Sequence, residues 1–383
     1  MSSNHTGTHS DEMLRDWIAL SFVAGVGRRT AARLIDRFQT PTACVEATRT
    51  QLEAAGLKPE CIDALKDTTQ RERAEREIAA LATLGAEALP LTDPRYPPLL
   101  KETYDPPIVL YSLGDPGPAL ERPAVAVVGS RRCSTYGRNA AEMLARELAI
   151  HGVTIISGLA RGIDSAAHNG ALEGGGQTLA VMGTGLDSIY PKENHKLAER
   201  IRKQGALITE FPLGTPPLSQ NFPFRNRVIS GIALGVMVVE GAERSGSLIT
   251  ARLAYEQGRE VFAVPGNITS SKSFGPNYLI KDGAKLVQTW QDVVEEFPFD
   301  LKTRILSPAK DGTSPEQLEI QQVTLSDNER KILGLMKTDE STHIDHLIQA
   351  SKLAPPELMA TLLKLEMDGR IRQLPGKSFV RKL

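Results

Sequence analysis

The 383-residue sequence predicts an α/β protein, a doubly wound, mostly parallel sheet with a helical N-terminal domain before it and a winged-helix-like C-terminal domain after it. Three observations predict this. Residues 11–84 carry helical spacing throughout. From Ala124 onward, short apolar runs alternate with helical stretches, as strands and crossover helices do in a parallel sheet. Residues 324–383 read as three helices followed by a small hairpin.

In residues 1–85, Leu14, Trp17, Ile18, Leu20 and Phe22 mark one amphipathic stretch, Thr30 to Phe38 a second and Gln70 to Leu84 a charged third. Val23-Ala24-Gly25-Val26-Gly27 joins the first two, beside Arg28 and Arg29. It is either a helix-hairpin-helix turn that aims backbone amides at a phosphate or a plain helical hairpin. Pro90, Pro94, Pro97, Pro98, Pro106 and Pro107 follow. Proline fixes φ and removes a donor, so this is a connector or edge segment at a domain junction.

Residues 86–299 form the expected sheet domain. Strand candidates are Ala124–Val128, Val153–Ile156, Thr178–Met182, Leu207–Phe211, Val236–Val239 and Val261–Val264, with helices expected at 137–151, 161–173, 192–204, 225–234 and 247–258. Residues 300–323 are polar, with proline, glycine and serine, and read as a linker. Helices at 326–336, 343–350 and 355–368, then an alternating end that turns at Pro375-Gly376, give the winged-helix pattern. A plain three-helix module is its rival.

Forty-five basic side chains against 46 acidic ones leave a net charge of -1, which argues against a polycation that coats nucleic acid through bulk charge. By segment the charge is uneven: residues 122–290 are net +6, flanked by 1–121 at -5 and 291–323 at -4. Such a basic middle fits an anionic partner and also an ordinary solvated surface. Cys44, Cys61 and Cys133 contain no CxxC pair, so neither a disulfide scaffold nor a metal site is expected. The start MSSNHTGTHS lacks the apolar core of a signal peptide, and no apolar run is long enough to span a membrane. A cytoplasmic protein is expected.

Ligands of doubly wound sheets sit beyond the C-terminal strand ends, so those ends carry the functional reading. The first strand leads into Gly129-Ser130-Arg131-Arg132, a sharp turn with a hydroxyl and a guanidinium fork suited to phosphate. Neither GxGxxG nor GxxxxGK[ST] is present, so no fitted nucleotide pocket and no cofactor are expected. After the second strand come Gly158, Arg161 and Gly162. After the third lies Lys192, in Tyr190-Pro191-Lys192. Asn221-Phe222-Pro223-Phe224-Arg225-Asn226-Arg227 interleaves aromatic rings with cations, as a nucleobase beside its phosphate requires, or as core aromatics would. Ser245, Gly246 and Ser247 place free amides at a helix N-terminus. The acidic candidates for catalysis are Asp164, Asp187, Glu210 and Glu240, and no nucleophile–base pair is evident.

The stretches VAVVGSRRCSTYG (125–137), ISGLARGIDSAAHNGAL (156–172), AVMGTGLDSIYPKENHKL (180–197), FPFRNRVISGIA (222–233), SGSLITARLAYEQGREVFAVPGN (245–267) and GPNYLIKDGA (275–284) resemble the DNA-processing protein A family, also called Smf. That resemblance implies an extended Rossmann-like core that binds single-stranded DNA without hydrolysing nucleotide, protects incoming strands in natural transformation, and helps load the recombinase RecA in the presence of single-strand-binding protein, as a homodimer. It makes Arg131 the first DNA contact, followed by Lys192, Phe222, Arg225 and Asn226. The enzyme alternative is a phosphoribohydrolase-type, nucleotide-processing protein. Those proteins carry PGGxGTxxE, where this chain reads EGAERSGSLITA.

Overall fold

The computed structural model describes residues 5–23, 25–306, 325–336 and 340–381. Six helices come first: α1 (His5–Phe22), α2 (Arg28–Phe38), α3 (Pro41–Glu46), α4 (Arg49–Ala54), α5 (Pro59–Lys66) and α6 (Thr69–Leu84). Local chemistry sets their ends. Thr40 caps α3, Thr48 and Gln51 form a capping box on α4, and Gly85 closes α6 in the left-handed region at φ 73°. Trp17, Ile18, Leu20, Leu34, Leu52 and Ile62 bury completely between these helices. The same core continues into Tyr111, Leu113 and Leu207 of the sheet.

The middle of the chain runs β1 (Ala86–Pro90), α7 (Pro98–Lys101), β2 (Val109–Gly114), α8 (Gly117–Leu120), β3 (Ala124–Val128), α9 (Thr135–Ile150), β4 (Thr154–Ser157), α10 (Ile163–Glu173) and β5 (Thr178–Val181). It continues through α11 (His195–Lys203), β6 (Gly205–Thr209), α12 (Asn221–Ile232), β7 (Gly235–Val238), α13 (Gly246–Glu256), β8 (Glu260–Ala263), α14 (Phe274–Lys281), β9 (Lys285–Leu286), α15 (Trp290–Val294) and α16 (Phe299–Leu306). The strands form one nine-stranded sheet in the order β1-β2-β6-β5-β4-β3-β7-β8-β9. Strands β3 to β9 pair in parallel, and β1 and β2 add an antiparallel edge.

Alternation along β3 shows why these strands are apolar throughout. Val125 and Val127 pack with α9 and α10 on one face, while Ala126 and Val128 pack with α12 and α13 on the other. From β3 the chain builds outward through β4, β5 and β6, then returns to lay β7 on the opposite side of β3. The strand order therefore reverses at β3, where loops splay apart and leave a crevice.

Six of the nine strands match the runs expected from sequence, within a residue or two at each end. β1, β2 and β9 were not expected as strands. β1 ends on Pro90, tolerable because β1 is the sheet edge; β2 is antiparallel and so lacks a following crossover helix; β9 has only two residues. The expected linker from residue 300 also begins differently. α16 runs through Leu306 and packs Leu301 and Ile305 against the α9 side of the core, and residues 307–323 lie outside the described residues.

At the C-terminal end stand α17 (Asp327–Leu335), β10 (Thr342–His343), α18 (Ile344–Ser351), α19 (Pro355–Met367), β11 (Ile371–Leu374) and β12 (Ser378–Arg381). Three helices around Ile332, Leu347, Leu358, Leu362, Leu365 and Phe379, with an antiparallel β10-β12-β11 sheet, make the winged helix. It docks on α9. Arg372 Nη2 donates to both Glu142 carboxylate oxygens at 2.9 and 3.0 Å, and Asn139 Nδ2 donates to the Arg381 carbonyl at 3.2 Å.

One buried group gives the fold a pH signature. Thr178 Oγ1 donates to the Ile155 carbonyl at 2.8 Å, so at 2.7 Å it accepts from His168 Nδ1–H and leaves Nε2 unprotonated. Nε2 is buried without a partner among the described residues. Burial, followed by the nearby Arg225 charge, lowers the imidazole from 6.5 to about 3. A depressed folded pKa means stability that is full above pH 6.5 and falls as the pH drops towards 3. Between pH 6.5 and 4.5, His168 is expected to contribute a loss of about 2 kcal/mol. Urea melts at the two pH values should show it, and His168→Asn should lack that part of the difference.

Candidate nucleic-acid interface

The reversal at β3 holds an open cavity of about 570 Å³. Four segments build it: the β3–α9 loop, the loop from β7 into α13, the first turns of α12, and the stretch from β4 into α10, which adds Ala160 and Asp164. Nine of the thirteen residues expected at the site line it: Gly129, Ser130 and Arg131 from the first segment, Ser245, Gly246 and Ser247 from the second, and Phe222, Arg225 and Asn226 from the third.

The remaining four sit close by without lining the cavity. Gly158 lies beneath Arg225, and a Cβ there would overlap the guanidinium. Gly162 opens α10 under the Ser130 carbonyl, which accepts from Ile163 N at 3.2 Å. Arg161 is ion-paired with Glu193 on the outer surface, and Lys192 is exposed in the short turn before α11.

Phe222 is the aromatic centre. Asn221 anchors the start of α12 by donating to the Gly183 and Pro216 carbonyls at 3.0 and 3.2 Å, which sets the ring beside Gly183. The guanidinium carbons of Arg131 and Arg225 lie 5.2 and 5.8 Å from the ring centroid, and Tyr190 tilts against it at 6.0 Å. Phe224 is half exposed, and Arg227 is a structural residue. It donates to Glu210 at 2.6 Å and to the Asp105 carbonyl at 2.7 Å.

Arg225 is 5% exposed and Asp164 is equally buried. The carboxylate accepts from the Gly158 and Ala160 amides at 3.1 and 3.3 Å and faces Arg225 at 3.8 Å. Burial is the largest influence on both, raising Asp164 and lowering Arg225, and their mutual attraction opposes it. Among the described residues Arg225 Nε keeps no partner. Ser245 caps α13, its hydroxyl accepting from Ser247 N at 3.3 Å, so the positive end of that helix opens on the cavity.

Sequence reasoning did not single out Arg132 or Arg244, which also line the wall. Both were adjacent to chosen residues, in GSRR and ERSGS. Four guanidiniums thus face one carboxylate, Asp164. Such a surface holds anions and offers a ring for stacking. Among the described residues no cluster of His, Cys, Asp and Glu could hold a metal ion, and no helix is long and apolar enough to cross a membrane.

The chain is similar to known proteins of one family. A family model for DNA recombination-mediator protein A matches residues 87–298, and one for the DprA winged helix domain matches 315–377. The chain is 44% identical to Protein Smf of Escherichia coli over 80% of each chain. It is 41% identical to the DNA processing protein DprA of Bacillus subtilis, over 66% of this chain and 82% of that one. It superposes on the X-ray structure of DprA from Streptococcus pneumoniae with a TM-score of 0.64 and 37% identity, covering 74% of this chain and 98% of that one. A Helicobacter pylori structure, described as showing the single-stranded DNA binding mode of its DNA processing protein A, matches with a TM-score of 0.50 and 31% identity over 55% of this chain and 94% of that one. With its extended Rossmann-like sheet and its winged helix, the chain belongs to the DNA recombination-mediator protein A family, the DprA/Smf proteins.

Proposed function

We propose that this protein is a single-stranded DNA-binding recombination mediator that protects incoming strands and assists the loading of RecA on them in natural transformation. It acts in the cytoplasm as a homodimer, alongside single-strand-binding protein. Its domains are a helical residue 1–85 unit, a DNA-binding 86–299 core, a linker and a winged helix from about residue 324, a division that the two family matches support. The observation that carries the reading is Phe222 with two guanidiniums at 5.2 and 5.8 Å from its ring centroid, in a cavity walled by four arginines. A strand tracks such a surface by its phosphates and stacks an unpaired base on the ring, which duplex DNA cannot offer. The single-strand binding described for the Helicobacter pylori relative is in keeping with this.

The action is binding, without bond cleavage. Asp164 is occupied by two amides and Arg225, and Glu240 by Ser134, so neither carboxylate is placed to act as a base in the phosphoribohydrolase manner. Fluorescence anisotropy with oligo-dT and with a duplex of equal length, each at two salt concentrations, tests the proposal. Tighter, salt-sensitive binding of the single strand is expected. Equal or tighter duplex binding would overturn it. For RecA, the expected result is faster DNA-dependent ATPase on strands coated with single-strand-binding protein, and no gain contradicts that part.

The winged helix is not the seat of this binding. α19, the helix that enters the major groove in duplex-reading relatives of this motif, exposes Met359, Leu363 and Met367. Its Lys364 pairs with Glu329 at 2.7 Å, and Arg372 is held by Glu142. Ending the chain after Leu306 is therefore expected to keep oligo-dT affinity within about threefold, as measured by the same anisotropy assay.

A further inference from the structure

We infer that Glu240 is the positioning residue of this interface: through its carbonyl and its carboxylate it clamps both ends of the Ser130–Ser134 loop and so sets Arg131 and Arg132 over the cavity. The inference rests on the binding site proposed above. Glu240 lies just past β7 and is 3% exposed. Its carbonyl accepts from Ser130 N at 2.8 Å. Its carboxylate accepts from Ser134 N at 2.8 Å through one oxygen and from the Ser134 hydroxyl through the other. Ser134 Oγ in turn accepts from Gly137 N at 3.0 Å and caps α9. One residue of β7's end thus holds the start and the finish of the loop that carries both arginines.

Two further features show that the contact is built. A Cβ at position 137 would overlap the Glu240 carboxylate, so glycine there lets the carboxylate stand against the start of α9. The carboxylate also meets no Lys or Arg within ion-pair distance among the described residues; its charge faces the N-terminal end of α9. A buried carboxylate at that end satisfies the orphan amides and offsets the helix dipole. The N-terminus of α9 is thereby closed to phosphate. That of α13, with Gly246 and Ser247, remains open beside the arginines. The clamp therefore decides both where the guanidiniums stand and which helix end the DNA backbone meets.

A double-mutant cycle on the full chain tests this: wild type, Glu240→Ala, Arg131→Ala and the double variant, each titrated with fluorescein-labelled oligo-dT across a salt series. Glu240→Ala is expected to bind on the order of tenfold more weakly. Its salt slope should fall by about 0.7 for each phosphate that the protein no longer neutralises. The double variant should bind no more weakly than Glu240→Ala alone, since Arg131 is already displaced when the clamp is gone. Glu240→Gln, whose amide oxygen still accepts from Ser134 N, should recover most of the affinity. Where Glu240→Ala does not fold, Ser134→Ala replaces it in the cycle with the same expected non-additivity. Additive losses, or wild-type affinity in a folded Glu240→Ala protein while Arg131→Ala binds weakly, overturn the clamp alone. Wild-type affinity in Arg131→Ala overturns the interface itself, and the clamp with it.

Discussion

Replacing Arg131 by glutamate is expected to weaken oligo-dT binding on the order of a hundredfold or more at moderate salt, with alanine at that position costing about tenfold. The difference follows from charge. Alanine removes one charge-assisted interaction, whereas glutamate adds repulsion against every phosphate in reach. The fold should survive both changes, because Arg131 is exposed, with its guanidinium carbon 5.2 Å from the Phe222 ring centroid. Melting temperature and gel shift on the same preparations separate the two effects. Wild-type gel-shift affinity in a folded Arg131→Glu protein would remove this arginine from the interface.

Arg225 is expected to behave differently, since it lies inside the wall. Arg225→Ala leaves Asp164 buried beside two amides without its cation, which should destabilise the protein by about 3–5 kcal/mol and abolish single-strand binding. Removing both partners, Asp164→Asn with Arg225→Ala, should be less destabilising than Arg225→Ala alone, because no unpaired charge then stays behind. Gly158→Ala probes the same position from below, as its methyl group would displace the guanidinium. It should lower DNA affinity even though its φ is not in the left-handed region. Urea melts report the first pair of effects and anisotropy the last. Additive stability losses in the double variant would mean that the two side chains are not coupled.

The parallel part of the fold was legible because every strand in it is covered on both faces. Val125 to Val128 cannot be apolar at each position unless helices pack on either side, and that pattern survives in the text. The antiparallel edge was hidden for the converse reason. β1 lies in proline-rich sequence and β2 has no crossover helix after it, so neither carries the repeating strand–helix signature. At the site, residues on tight turns were readable one loop at a time. The turn chemistry of GSRR and SGS suits a phosphate without knowledge of its neighbours. Contacts across loops were not readable. Glu240 stands 106 positions from Ser134, so the sequence offered it as a base and the structure shows it as a loop anchor. Arg161 and Arg225 were both expected at the site, and only the fold pairs the first with Glu193 and walls the second into the cavity. Net charge was similarly uninformative at -1, because it does not register that four arginines gather in one crevice.

The proposed function places a single strand in the crevice between β3 and β7 with a base against Phe222. Photo-crosslinking the full chain to bromodeoxyuridine-substituted single-stranded DNA, followed by mass-spectrometric identification of the attached peptide, tests it most directly. The attached base is expected on the tryptic peptide that ends at Arg225 and contains Phe222. Crosslinks confined to the N-terminal helices or to the winged helix, with none on that peptide, would contradict it.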